Sequence, residues 1–433
     1  MSEVLHSVDD VFGVSRDVPL NYVDREMVDG KFIQSLTRSH HIVIFGSSKQ
    51  GKTCLRKHCL NEDDYITVAC HNRWSLGELH AAILKRAGYE VKQSTSQAVG
   101  GHFKLAASAG GDIKLPLVGK LEATADGEYE KTGETVETKV TLELDPLDAN
   151  DIIRALAEIG FSKFVAIEDF HYLPDETQRD FSFALKTFHE QSKISFIITG
   201  VWREQNRLIA FNGDLTERVF SVDVDRWTAE DLGRVIEEGE RLLNVSFDEA
   251  FKKELLADCN ESVHLVQEAC RRACRDAEIF KTADDQRDVG SADLARALLK
   301  QIVGEQSGRY NGFIMNFADG FQQTELEMPK WIIYAILISS IEDLEKGIRL
   351  RELTRMIRDR HPRGAKLNQG NITQALGSAT SLQGEKGIRP IVIDYDGTNR
   401  NLHVVDKSFL IWLALQDRED LIEDLDLPEL DVT

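Results

Sequence analysis

Three stretches of the chain are nearly unbroken runs of apolar residues: HIVIF at 41–45, FVAI at 164–167 and the end of KISFIITG at 193–200. A short run without alternation predicts a strand covered on both faces, as in a parallel sheet packed between helices. Helix-compatible segments accompany these runs, among them TCLRKHCL after the first and residues 76–87. From Thr228 the character changes, and four helix-compatible stretches follow at 229–243, 247–258, 262–280 and 291–303. A polar linker, 304–328, leads to a last unit. There PKWIIYAILISSIEDLE reads as a buried helix and LRELTRMIRDRHP, 350–362, as an amphipathic one. NQGNITQALGSATSLQ, 368–383, reads as a third, with Gln369 or Asn371 near its cap. Residues 390–406 then read as two strands about the turn DGTNRN. Three helices and a hairpin describe a winged helix.

One segment fits none of this. Residues 88–150 are rich in Gly, Thr, Lys and Glu. Within it TVETKVTLELD, 135–145, alternates polar and apolar residues as a strand does, and 110–127 is a candidate hairpin partner. A protruding β element and a mobile loop fit equally well. Contact with a partner or neighbouring subunit, and a solvated ornament, are both open.

The 433 residues suffice for two or three domains. A net charge of −21 argues against a protein that coats nucleic acid indiscriminately. Locally the balance reverses. Residues 346–366 hold eight Lys or Arg against two acids. Arg349, Arg351, Arg355, Arg358, Arg360 and Arg363 are candidate phosphate contacts, and Asn368, Asn371, Thr373 and Gln374 candidate base contacts. The third helix itself is poor in Lys and Arg, which weakens sequence-specific readout; a basic surface for an acidic partner is the alternative. Residues 417–431 carry eight acids and one arginine; they dock on the basic face and mask it, or remain disordered. The six cysteines show no C-x-x-C spacing and read as small apolar residues rather than a zinc site. WIIYAILISSI is too short to span a bilayer, and no signal peptide is seen, so the expectation is a cytoplasmic protein without membrane contact.

The chemistry concentrates in GSSKQGKT: Gly46, Ser47, Ser48, Lys49, Gln50, Gly51, Lys52 and Thr53 fit G-x-x-x-x-G-K-[ST] between an expected strand and an expected helix. Successive N–H groups of such a loop, with the helix N-terminus that begins near Cys54, make an anion nest. Lys52 is placed to reach the β- and γ-phosphates of ATP and Thr53 to bind Mg²⁺. A second strand, KFVAIEDFHYL, ends in Glu168 and Asp169. By position Glu168 takes the metal and Asp169 the attacking water, the reverse of the usual Asp-Glu order, so slow hydrolysis is expected. His171 reads as structural. Thr199 ends the third strand, placed to sense the γ-phosphate.

These residues resemble the AAA+ superfamily, particularly its origin-recognition/Cdc6-like and STAND-like branches. NYVDRE at 21–26 resembles the segment that lines the adenine pocket there and implies a nucleotide contact for Arg25. TERVFSVDVDRWTAEDL at 216–232 resembles the passage from core to lid and puts Arg218 at the arginine-finger position, facing a neighbouring subunit's nucleotide. Arg203 and Arg207 are weaker candidates. NESVHLVQEACRRAC at 260–274 resembles a lid helix, with His264 where a second sensor arginine often sits. The resemblance implies an α/β P-loop NTPase, AAA+-like, with a parallel-sheet core over 1–226 (insertion 88–150), a helical lid over 227–305, a winged-helix domain over 329–416 and an acidic tail over 417–433. It further implies ATP, ADP and Mg²⁺ as ligands, and a homo-oligomer or a separate effector protein as partner. The two functional expectations are a molecular switch acting on a partner, as in an anti-phage defence pair, and an ATPase loaded on duplex DNA through 346–400.

Overall fold

The computed structural model describes residues 5–13, 17–93, 105–109, 141–322 and 324–428. The first apolar run is β1 (His41–Gly46), buried along its whole length, and β2 (Tyr65–Ala69) follows one helix later. β3 (Tyr89–Gln93), β4 (Leu105–Ala109) and β5 (Thr141–Leu144) form an antiparallel sheet of their own. They belong to the segment read as either hairpin or loop; the proposed partner stretch 110–127 lies outside the described residues. β6 (Phe164–Glu168), β7 (Phe196–Val201) and β8 (Val219–Asp223) complete the core. The large sheet is parallel, in the order β2-β6-β7-β1-β8. β7 therefore stands between β1, which leads into the GSSKQGKT loop, and β6, which ends in Glu168. Helices cover both faces, which is why the strands carry no polar alternation.

The four lid stretches form helices Ala229–Leu243, Glu249–Asp258, Val263–Asp276 and Ala292–Gly304. The short strands β9 (Val245–Phe247) and β10 (Arg287–Val289) pair between them. The expected linker is not one. Residues Ser307–Ala318 form a helix that buries Tyr310, Phe313 and Phe317. This helix fuses the lid and the C-terminal unit into one apolar core.

In the C-terminal unit, helix Met328–Ile338 is apolar nearly all round and lies inside, and helix Leu350–Arg360 is amphipathic. The expected third helix is two, Gln369–Gly377 and Ala379–Glu385, broken at Ser378. Its cap is Asn368, reciprocated by Asn371 in a capping box. The strands β11 (Ile348–Arg349), β12 (Ile393–Asp396) and β13 (Asn401–Val404) form a three-stranded antiparallel sheet. Over its described residues, 417–428, the acidic tail does not lie on the arginines. Its helix Arg418–Glu423 packs on Met328–Ile338, Ile422, Leu425 and Leu427 are buried, and Arg418 donates to the Leu337 and Ser339 carbonyls. No described helix is long and apolar enough to cross a membrane.

Candidate nucleotide-binding site

The loop from Gly46 to Thr53 joins β1 to helix Lys52–Cys59. Two glycines are required by geometry. Gly51 has φ 87° and opens the helix, and at Gly46 a Cβ would fall 2.8 Å from Val224 and 3.0 Å from Asp225. That close approach lets Asp225 hold the loop. Its carboxylate accepts from the Ser47 N–H at 2.8 Å and from the Ser47 hydroxyl at 2.8 Å. Arg203 flanks Asp225 at 3.3 Å.

Beside the loop lies a cleft of ≈ 290 Å³ between core and lid. Lys49, Gly51, Lys52, Thr53 and Cys54 line it from the loop, with Tyr22, Val23, Trp227 and Val263 giving flat apolar walls. Arg25 belongs here as well, its guanidinium 3.7 Å from the Trp227 ring centroid and donating to the Val224 carbonyl. Asn21 and Gln267 exchange amide hydrogen bonds of 2.9 and 2.8 Å and tie the N-terminal segment to the lid. His264 lines the same cleft, its Nε2 3.2 Å from the Lys49 ammonium. Burial and that cation push its pKa down to about 4, so the ring is neutral at pH 7.

Lys52 donates to the Gly46 and Ser47 carbonyls at 3.1 and 2.5 Å. Burial pushes its pKa down to about 8, against the pull of Asp225, Glu168 and Asp169. A phosphate needs the charged form. ATP affinity is therefore expected to hold up to about pH 8 and to fall by as much as tenfold per pH unit above it. The group loses its proton at lower pH in the folded protein than in the unfolded chain, so its contribution to stability rises over the same range. Titration with a fluorescent ATP analogue between pH 7 and 9.5 measures the affinity. A thermal melt alongside shows that a loss there is not unfolding.

Across β7, Glu168 ends β6, but not as a free carboxylate. Arg56, three residues beyond Thr53, donates from Nε and Nη2 to its Oε1, both at 2.9 Å, with its guanidinium over the Tyr65 ring. One oxygen of the expected metal ligand is thus committed to an arginine that the sequence reading did not connect with it. Asp169 follows at φ 58°, a left-handed turn out of the strand line, exposed and facing Lys52, Arg389 and His71. The buried His171 ring accepts from the Val201 N–H at 3.2 Å, in keeping with a structural role. Gln50 Oε1, Arg56 Nη1, Thr199 Oγ1 and His264 Nδ1 are buried without a partner among the described residues. Such atoms around one loop mark a site built for polar ligands. Thr53, Glu168 and Asp169 carry oxygen donors of the kind Mg²⁺ takes, and Thr53 lines the cleft.

Arg218 lies elsewhere. It precedes β8, at the end of the sheet opposite the loop, and pairs with Glu190 at 2.9 Å. It takes no part in this chain's own cleft.

The C-terminal unit, in contrast, reaches the loop. The Ser48 N–H donates to the Val405 carbonyl at 2.8 Å. Val405 and Ile391 bury against Val201, with Tyr172 packed on them. Arg207, read as a weak finger candidate, is buried and bonds both oxygens of the buried Asp394 at 3.1 Å. Thr380 adds 3.0 Å to the same carboxylate, and Thr398 bonds Glu204.

Fold and site together define an α/β class: a five-stranded parallel sheet between helices, with the GSSKQGKT loop joining β1 to a helix and a cleft between this core and a helical unit. The sequence matches no protein-family model and no curated protein. Among solved structures the chain is similar to a Walker-type ATPase of Pyrococcus abyssi, at 14% identity and TM-score 0.49, over 93% of this chain and 99% of that one. It is also similar to the Aeropyrum pernix ORC1 protein in complex with DNA, at 11% identity and TM-score 0.43, over 98% of each. The third is the Thermotoga maritima RuvB Holliday junction branch migration motor, at 12% identity and TM-score 0.35, over 88% and 92%.

Proposed function

We propose that the chain is an ATP-binding, ATP-hydrolysing switch whose nucleotide state sets whether its C-terminal unit stays docked on the phosphate loop. One observation carries this reading: a loop N–H, that of Ser48, is given to a carbonyl of the C-terminal unit. Phosphate and Val405 both draw on donors of the same nest. In this reading the Lys52 ammonium leaves the loop carbonyls for the β- and γ-phosphates, and the loop N–H groups and helix N-terminus hold the remaining charge. Thr53 and Glu168 are the residues that would hold Mg²⁺, which would supply charge neutralisation at the phosphates when bound. Asp169 accepts a proton from the attacking water, and Thr199 orients it. Arg56 restrains Glu168, which favours slow turnover. In this reading the helices Met328–Ile338 and Leu350–Arg360, the broken third helix over 369–385 and the β12–β13 hairpin make up a winged helix, and release of this unit is the output, delivered to a partner protein or to a second copy through Arg218.

The test uses the full chain with saturating ADP, or a slow-hydrolysing ATP analogue, each with Mg²⁺. The analogue is expected to speed proteolytic cleavage near 304–330 or to change the mass in solution, and ADP to do neither. Identical cleavage and mass with both, at occupancies confirmed by calorimetry, would sink the switch.

A second reading has its own observation. Arg351, Arg355 and Arg358 stand exposed on one face of helix Leu350–Arg360, without an ion pair among the described residues, and line a hollow of ≈ 480 Å³ with Gln369. That arrangement suits a nucleic-acid backbone. Duplex DNA is then expected to bind with affinity that falls with salt and is lost in R355E/R358E. Asn368 and Asn371 bond each other's backbone in the cap, which favours phosphate contact over base readout.

A further inference from the structure

A second and larger hollow, of ≈ 790 Å³, opens where core, lid and C-terminal unit meet, and shares no lining residue with the nucleotide cleft. The lid helices Glu249–Asp258 and Ala292–Gly304 face helices Ile341–Lys346 and Lys407–Ala414 across it, and the core contributes Arg203. Half of its lining is apolar, Leu299, Ile341, Val404 and Leu410 among it. The charged remainder is five Lys or Arg against three acids, in a chain whose net charge is −21. Its volume and its place at a boundary between units are those of small-molecule sites.

Three connections run from this lining to the phosphate loop. Arg203 pairs at 3.3 Å with Asp225, which holds Ser47. Val404 is followed by Val405, whose carbonyl takes the Ser48 N–H. The Glu261 carbonyl accepts from Gln50 Nε2 at 3.1 Å, and the Glu261 carboxylate pairs with Lys407 at 3.2 Å.

We propose that this hollow is a second ligand site, for a small amphipathic anion, and that its occupant sets nucleotide affinity. The apolar body of such a ligand covers the aliphatic lining. Its carboxylate, sulfonate or phosphate competes with Asp225 for Arg203 and with Glu261 for Lys407. Breaking these two ion pairs frees Asp225, which holds Ser47, and Glu261, whose backbone carbonyl holds Gln50, to shift, which places the trigger of the proposed switch here. The inference rests on the nucleotide reading above, and the coupling is reciprocal.

The probe is 8-anilinonaphthalene-1-sulfonate, an apolar ring system carrying one anion. With the full chain its fluorescence is expected to saturate. Its dissociation constant should differ by about fivefold or more between the nucleotide-free protein and the protein loaded with an ATP analogue, and the probe should shift the analogue's affinity by the same factor. Ala414 is exposed on the wall of the hollow. A414W fills the space and is expected to abolish probe binding while leaving analogue affinity in probe-free solution unchanged. R203A is expected to retain the apolar part of probe binding and to bring the coupling factor close to one. Probe binding that survives A414W, or equal probe affinity with and without a normally bound analogue, overturns the second site. Failure of the wild-type chain to bind the analogue at all overturns the nucleotide reading, and this proposal with it.

Discussion

Lys52→Ala is expected to weaken ATP binding by about a hundredfold or more while leaving the melting temperature of the free protein unchanged or slightly raised. The two halves have different causes. The lost affinity is that of an ammonium making charge-assisted hydrogen bonds to phosphate, about 1.5–3 kcal/mol each, and two such bonds exceed the ~2.7 kcal/mol that a hundredfold represents. The stability is spared because Lys52 is desolvated and bonds only two neutral carbonyls of its own loop. Removing it relieves a strained charge and leaves acceptors that water can reach. Calorimetry with ATP and Mg²⁺ measures the first half. A thermal scan at saturating nucleotide measures both, since a ligand at a hundred times its dissociation constant stabilises by about 2.7 kcal/mol and the variant should keep only about 0.4 kcal/mol of that rise. Wild-type affinity in the variant would remove the phosphate from the loop, and the proposed switch would fall with it.

Asp394→Ala is expected to release the C-terminal unit. Arg207 and Asp394 are both buried, and the guanidinium's ion pair runs across the boundary, with the core acids Glu204 and Asp175 adding weaker attraction. Removing one partner of such a pair costs about 3–5 kcal/mol, because the other is left buried and unpaired. The cheapest relief is to undock and let water reach Arg207. Small-angle scattering should then show an expanded chain, and a fluorescent nucleotide should exchange faster than in the wild type. A nonspecific loss of stability would look similar in a melt alone. The double variant Arg207→Met with Asp394→Leu separates the two, because apolar side chains of like size replace a buried pair at little cost. It should restore the compact form and slow exchange. Unchanged scattering and exchange in Asp394→Ala would show that the pair does not hold the docked state.

The parts of the site that were legible in sequence are those written in consecutive residues. The phosphate loop is eight residues in a row, and helices 76–87 and 229–243 were read with the bounds they have in the structure. Glu168 and Asp169 were placed because an apolar run ends in two acids. What was missed depends on distant pairs. Arg56 meets Glu168 across 112 positions, Asp225 meets Ser47 across 178, and Arg207 meets Asp394 across 187. An arginine inside a basic helix or an aspartate in VDVDRW has no local signature of such a partner. The linker and the third C-terminal helix, which breaks at Ser378, were misread on local grounds. Tyr310, Phe313 and Phe317 have helical spacing, but Ser307, Gly308, Asn311 and Gly312 among them are turn residues, and packing against a finished core overrode that preference.

Local sequence by itself determined a glycine-bounded loop between strand and helix, a sheet too apolar to face water, and a run of four helices after it. These follow from short-range rules: backbone freedom at Gly46 and Gly51, amide donors in series, and the repeat of apolar positions. Tertiary structure alone decided that the C-terminal unit rests on that loop and that Glu168 is shared with an arginine. It also decided that Arg207 serves the boundary rather than the nucleotide. Burial makes each of those charges depend on one particular partner, and which partner arrives is settled by how the chain folds back on itself.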